Sequence, residues 1–225
     1  MENLKTGARR TTTDQVFESL REEILTLELL PGTKMSEAEV AARFGISRQP
    51  VRDAFNRLGH LDLLKVRPQK ATVVRGFCID KLAEARFLRL AVEVEVIRIA
   101  CKVWDESCSE KGLQNLQEQQ DAIDNGNWDL FHALDFQFHS LLCEISGCHH
   151  AINTIKSCRQ KTDRLCVLSF SRDKEASSVI EEHRRLITAL ENNNESVAVE
   201  IVRTHLGRLD SVVAEIQSKH ADYFE

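Results

Sequence analysis

Between Ser36 and Phe55 the chain carries two helix starts with one glycine between them, a spacing that suits two short helices joined by a tight turn. Ser36 followed by Glu39 makes a capping box, in which each residue satisfies a backbone N–H left open by the first helical turn. Val40, Ala41 and Phe44 give the first helix one apolar side. Gly45 stops it, because glycine takes the left-handed conformation just past a helix end without a steric penalty. Ser47 is placed to cap the second helix, and Pro50 falls in its first turn, where a missing N–H breaks no helical bond. Val51, Ala54, Phe55 and Leu58 recur at helical spacing and are expected to face a core. That leaves Arg48, Gln49, Arg52 and Asn56 on other faces. Beyond the helix, Leu63–Arg67 and Ala71–Val74 read as two short strands about a turn at Pro68-Gln69-Lys70. Upstream, Val16, Leu20, Ile24 and Leu27 line one side of a helix from about Gln15 to Leu27, which Leu30-Pro31-Gly32 ends.

Helix-turn-helix proteins bring the start of their second helix to base edges in the major groove. Arginine can hold guanine O6 and N7 together, and glutamine or asparagine can hold adenine. Arg67 and Lys70, at the tip of the hairpin, suit phosphate or the minor groove, where they would fix position more than sequence. An ordinary helical hairpin with solvated charges shows the same periodicity, since arginine is common on exposed helices. The hairpin that follows and the helix that precedes it favour a DNA reader.

The net charge of −5 is unevenly divided. Of 30 Lys+Arg and 35 Asp+Glu, residues 1–75 hold 13 and 10, a net of +3, and the remaining 17 and 25 give residues 76–225 a net of −8. A mildly basic front and an acidic back are expected if only the front meets phosphates. Residues 1–14 are polar and read as a flexible arm, without the apolar run of a signal peptide. No stretch approaches the eighteen or so apolar residues of a membrane helix. Seven cysteines with no C-x-x-C pair fit buried thiols in a reducing cytoplasm.

From Ile79 onward there is no sustained strand-like alternation. Periodicity gives six helices, at about 79–102, 109–125, 128–145, 149–171, 177–192 and 195–218. The expected fold is therefore mostly α: a winged helix-turn-helix over residues 15–75, then an all-α bundle of six or seven helices over 79–218. Polar groups interrupt its apolar stripes. Asp135 and His139 sit one turn apart within the stripe Phe131, Leu134, Phe138, Leu142. His183 lies in the stripe Ile180, Leu186, Ile187, and His205 in Val202, Leu206, Leu209. An unpaired carboxylate in such a core is costly. A divalent cation would neutralise it and accept the imidazole lone pairs. Taken singly, each histidine is better read as simply hydrogen-bonded, and Asp135 with His139 can be read as a simple ion pair; it is the four together that favour a metal. Arg89, flanked by Leu82, Ala85, Val92 and Val96, is also aimed inward. It suits either a bidentate grip on a carboxylate ligand or a salt bridge to Glu93. Arg86 and Arg159 are weaker candidates for the same grip.

These motifs resemble two known domains. Leu30-Pro31-Gly32, Ser36-Glu37, Gly45-Ile46-Ser47-Arg48, Pro50-Val51-Arg52 and Arg67-Pro68 are similar to the winged helix of GntR-type bacterial regulators. That resemblance implies DNA contacts at Ser47, Arg48, Gln49 and Arg52, with help from the wing tip at Gln69-Lys70. Asp135-x-x-x-His139, His183, His205 and Arg89-x-x-x-Glu93 resemble the FCD effector domain of the FadR-type branch. It implies a metal at Asp135, His139, His183 and His205, zinc first with nickel or manganese as alternatives, and a small carboxylate completing the shell. It also implies a homodimer, in keeping with the logic of palindromic operators. The expected protein is thus a cytoplasmic, ligand-responsive repressor with no membrane partner. Its rivals are a regulator for which the ion itself is the signal, a metalloenzyme, and a metal that only staples the fold.

Overall fold

A computed structural model of the chain describes residues 11–67, 70–168 and 172–225. These form two compact units, residues 11–78 with 220–225, and residues 79–219.

The first unit starts with α1 (Thr12–Leu25), α2 (Glu37–Phe44) and α3 (Arg48–His60). Helix α1 begins at Thr12, so residues 12–14, expected in the polar arm, belong to the helix. The reason is a second capping box, Thr11 with Asp14. Gly45 takes the left-handed conformation between α2 and α3, at φ 65°. Ser47 stands at the N-cap of α3 but its hydroxyl makes no capping bond, contrary to the sequence reading. Strands β2 (Leu64–Lys65) and β3 (Thr72–Val74) form the hairpin. A third strand not expected from sequence, β1 (Lys34–Met35), pairs antiparallel with the other side of β3. Val16, Leu20, Ile24, Val51, Phe55 and Leu58 fill the core between helices and sheet.

Asp14 also receives Arg57 at 2.7 Å, while that guanidinium lies over the Phe17 ring. The Thr11 hydroxyl, then Arg57, lower the Asp14 carboxyl to about 2 from an ordinary 3.8. A depressed folded pKa means the group's contribution is complete above the unfolded value and fades as pH falls from about 4 through 2. A carbon-13 titration of Asp14 is expected to show a midpoint near 2; one near 4 would show the cap to be open in solution.

The last residues of the chain return to this unit. Phe77 donates its N–H to the Tyr223 carbonyl at 2.7 Å and accepts from Glu225 N–H at 2.9 Å, making a short parallel bridge with Phe224. The Phe77 and Phe224 rings lie 5.5 Å apart. Gly76 donates to Glu225 Oε1, and Arg75 pairs with the same carboxylate at 3.0 Å. A Cβ at position 76 would lie 2.5 Å from the Tyr223 oxygen, so only glycine permits the approach.

The second unit consists of α4 (Ile79–Val103), α5 (Glu106–Asp124), α6 (Trp128–Ile145), α7 (His149–Leu168), α8 (Arg172–Glu191), α9 (Glu195–Gly207) and α10 (Leu209–Lys219). The stretch read as one helix over 195–218 is thus two, broken at Arg208. Asp105 caps α5, so that helix starts three residues earlier than expected. Asn127 and Asn194 cap α6 and α9 by accepting from Leu130 and Val197 N–H. Ile97, Leu116, Phe138, Leu142, Ile155, Leu186 and Ile187 form its main core. Among the described residues, no helix is long and apolar enough to cross a membrane. The described cysteines are free thiols, and burial pushes Cys143 up to about 12, far from a reactive thiolate.

Candidate functional site

Helix α6 turns one face inward through Phe131, Leu134, Phe138 and Leu142, and that face carries Asp135 and His139 with it. Helix α8 supplies His183 and α9 supplies His205. One ligand atom from each of the four lies within 4.8 Å of all the others. Asp135 Oδ1 is 3.8 Å from His139 Nε2 and 3.8 Å from His183 Nε2. The three imidazole centroids are 4.7–5.2 Å apart, and the Phe138 ring stacks on His183 at 4.1 Å. The sequence reading placed these four residues together, and the fold does so.

Two carboxylates behind the imidazoles were not assigned this role from sequence. Glu93 Oε2 lies 2.6 Å from His139 Nδ1. Glu182 Oε2 lies 3.1 Å from His205 Nδ1. In each case Nε2 is left for the cluster, the arrangement by which outer carboxylates fix the tautomer and orientation of ligating histidines. His183 is different. It is 1% exposed, and neither ring nitrogen has a hydrogen bond among the described residues. Buried polar atoms are rarely left so.

Electrostatics agree with ligation. Burial pushes His139 and His183 below their ordinary values, so both are neutral and keep a lone pair. Burial alone would raise Asp135, but the Arg159 guanidinium beside it outweighs this and holds the carboxyl well below its usual range. Glu93, fully enclosed, is likewise held low by Arg89 against its own desolvation. Neutral imidazoles, an ionised carboxylate and orphaned nitrogens fit a divalent cation.

Beside the cluster opens a cavity of about 490 Å³ whose walls include Arg89, Asp135, Arg159, His205 and Arg208. Arg89 makes the expected salt bridge, its Nε pairing with Glu93 at 2.5 Å, while its buried Nη2 has no hydrogen-bond partner among the described residues. Arg159 pairs with Asp135 Oδ2 and donates to the His132 carbonyl. Arg86, the other weaker candidate, faces elsewhere. It is paired with Asp210 and is not a cavity residue. Arg208, which sequence reasoning passed over, lines the cavity and is tied to Glu182.

On the first unit, Ser47, Arg48, Gln49 and Arg52 are exposed at the start of α3. Arg52 is held by Glu37 of α2 through two hydrogen bonds of 3.0 and 2.9 Å, and Gln49 donates to Asp53 at 2.9 Å. Arg67 and Lys70 are exposed on either side of the hairpin tip, and Gln69 falls outside the described residues.

Comparison with known proteins agrees on both units. Residues 12–74 match the model of bacterial regulatory proteins of the gntR family, and residues 84–208 match the FCD domain. The HTH-type transcriptional repressor RspR of Escherichia coli (strain K12) is 32% identical over 93% of this chain and 92% of its own length. The HTH-type regulator YdhC of Bacillus subtilis (strain 168) is 26% identical over 85% of this chain and 86% of its own. A GntR regulator structure from Rhodococcus sp. RHA1 superposes with TM-score 0.69 at 20% identity, covering 90% of this chain and 97% of that one.

Proposed function

The chain belongs to the GntR family of bacterial regulatory proteins, DNA-binding transcription regulators rather than enzymes, and we propose that it is a repressor released by a small carboxylate. The observation that carries the reading is His183, buried among Asp135, His139 and His205 with neither ring nitrogen hydrogen-bonded among the described residues. A divalent ion, zinc first and nickel or manganese otherwise, would be held by these four. When bound it supplies positive charge and open positions for a carboxylate oxygen. Arg89, with a buried donor to spare, and Arg159 then orient the acid from the cavity wall.

The acid acts as a signal only if it binds one arrangement of the regulator better than the other, and the coupling is reciprocal. On DNA, two copies read the halves of a palindrome through Arg48, Gln49 and Arg52. Ser47, whose hydroxyl is not used as a cap, and Arg67, Gln69 and Lys70 meet phosphates.

Operator binding measured with the metal-loaded and the chelated chain, each with and without carboxylates, tests the proposal. Release is expected only with metal and acid together. Release by metal alone would make the ion the signal, and an operator unaffected by either would leave the ion a structural role.

A further inference from the structure

The cavity is layered, and the layering follows the helical repeat. On α6, Phe131 and Trp128 stand four and seven residues before Asp135. On α8, Val179 and Ala176 stand four and seven before His183. On α9 and α10, Leu209 and Val212 stand four and seven after His205. All six line the cavity. Positions four and seven apart share a helix face, and at 1.5 Å per residue they lie roughly 6 and 10 Å along it. On α6 and α8 a metal ligand is therefore preceded along one helix face by apolar side chains at the same two distances, while Leu209 and Val212, beyond the break at Arg208, reach the same cavity from α10.

The charged groups gather at the other level. Arg89 is fixed by Glu93, which touches His139. Arg159 is fixed by Asp135, and Arg208 by Glu182, the neighbour of His183 in sequence. The chamber beyond is apolar in depth. Phe131 and Ala176 pack with Leu134 and Ile180 in a separate buried cluster, with Trp128 edge-on to Phe131 at 6.4 Å. Thr162, Ser178 and Ser211 add hydroxyls to the walls, and His132, its ring 5.4 Å from that of Phe131, adds one imidazole.

Resting on the carboxylate reading above, we infer that the effector is an amphipathic monocarboxylic acid: one carboxylate at the metal level and an alkyl or aryl body roughly 6–10 Å long in the Trp128–Phe131–Val179–Leu209 chamber. Some 490 Å³ is space for about sixteen waters. A short polyhydroxy or polycarboxylic acid would occupy the charged level and leave the apolar walls against water. An acid with a hydrocarbon body removes that surface from water.

Binding of straight-chain acids from acetate to octanoate, with phenylacetate, citrate and malate beside them, is to be measured by calorimetry on the metal-loaded full chain. Affinity is expected to rise about three- to fourfold per methylene, and the heat capacity of binding to become more negative with length. Val179→Trp, which fills the chamber, is expected to cancel the gain from length; its circular dichroism and metal content report its folding, and the wild-type heat-capacity trend stands without it. A series flat in chain length, with citrate or malate binding more tightly, would overturn the inference and leave the carboxylate reading standing. Failure of every acid to bind while metal is retained would remove both.

Discussion

Arg52→Ala is expected to weaken operator binding more than thirtyfold while leaving the melting temperature almost unchanged, and Arg48→Ala to do the same. A bidentate arginine–guanine contact discriminates by about 1–3 kcal/mol, so its loss from both halves of a palindrome costs about 2–6 kcal/mol. The fold does not depend on it. Arg52 and Glu37 are both substantially exposed, at 54% and 32% of their side-chain surface, and such pairs contribute little to stability. Their two parallel hydrogen bonds hold the guanidinium edge in place instead. Arg52→Lys is therefore expected to fail nearly as badly, because an ammonium keeps the charge but not the fork. Gel shifts over a range of salt, beside a thermal melt, check this. Unchanged affinity in Arg52→Ala at unchanged salt dependence would exclude α3 as the reader.

The parts of this molecule that could be read from sequence are those set by neighbours along the chain. Ser36, Glu39 and Gly45 mark α2 because capping is decided within a few residues. Asp135 and His139 announce themselves by sitting one turn apart on an otherwise apolar stripe, and His183 and His205 by interrupting theirs. Thr11 and Asp14 carried the same capping signal, but polar neighbours hid it and α1 was started too late. Gly207 was the one mark of the break between α9 and α10, and periodicity ran through it. Strand β1 is two residues long, too short for any alternation to show. Contacts made by distant segments left no trace at all. Nothing local to Glu182 says that it will meet both His205 and Arg208, and nothing in residues 220–225 says that they will pair with Phe77. Arg86 and Arg89 look alike on the helix, three residues apart; only the packing sends one to Asp210 and the other to the cavity.

His183→Leu is expected to change the sign of its effect with metal. In the metal-free chain His183 is neutral, 1% exposed and without a hydrogen bond among the described residues, so its two ring nitrogens are desolvated with nothing in return. Leaving a buried polar group unsatisfied costs about 1–3 kcal/mol. Leucine is apolar and fits beside Phe138, which now stacks on the imidazole at 4.1 Å, so the metal-free variant is expected to melt higher than the wild type. With metal the order reverses. A ligand binding only the folded state adds about 4 kcal/mol at a thousand times its Kd, and the variant, having lost a ligand, gains far less from the same metal. Two melting curves per protein, chelated and metal-saturated, are enough to see the crossing. A hydrogen-bonded structural histidine gives a different pattern: the variant would then melt lower than the wild type in chelator as well as in metal. That result would mean that the imidazole is satisfied by the protein itself, and the case for an ion at Asp135, His139 and His205 would lose its strongest support.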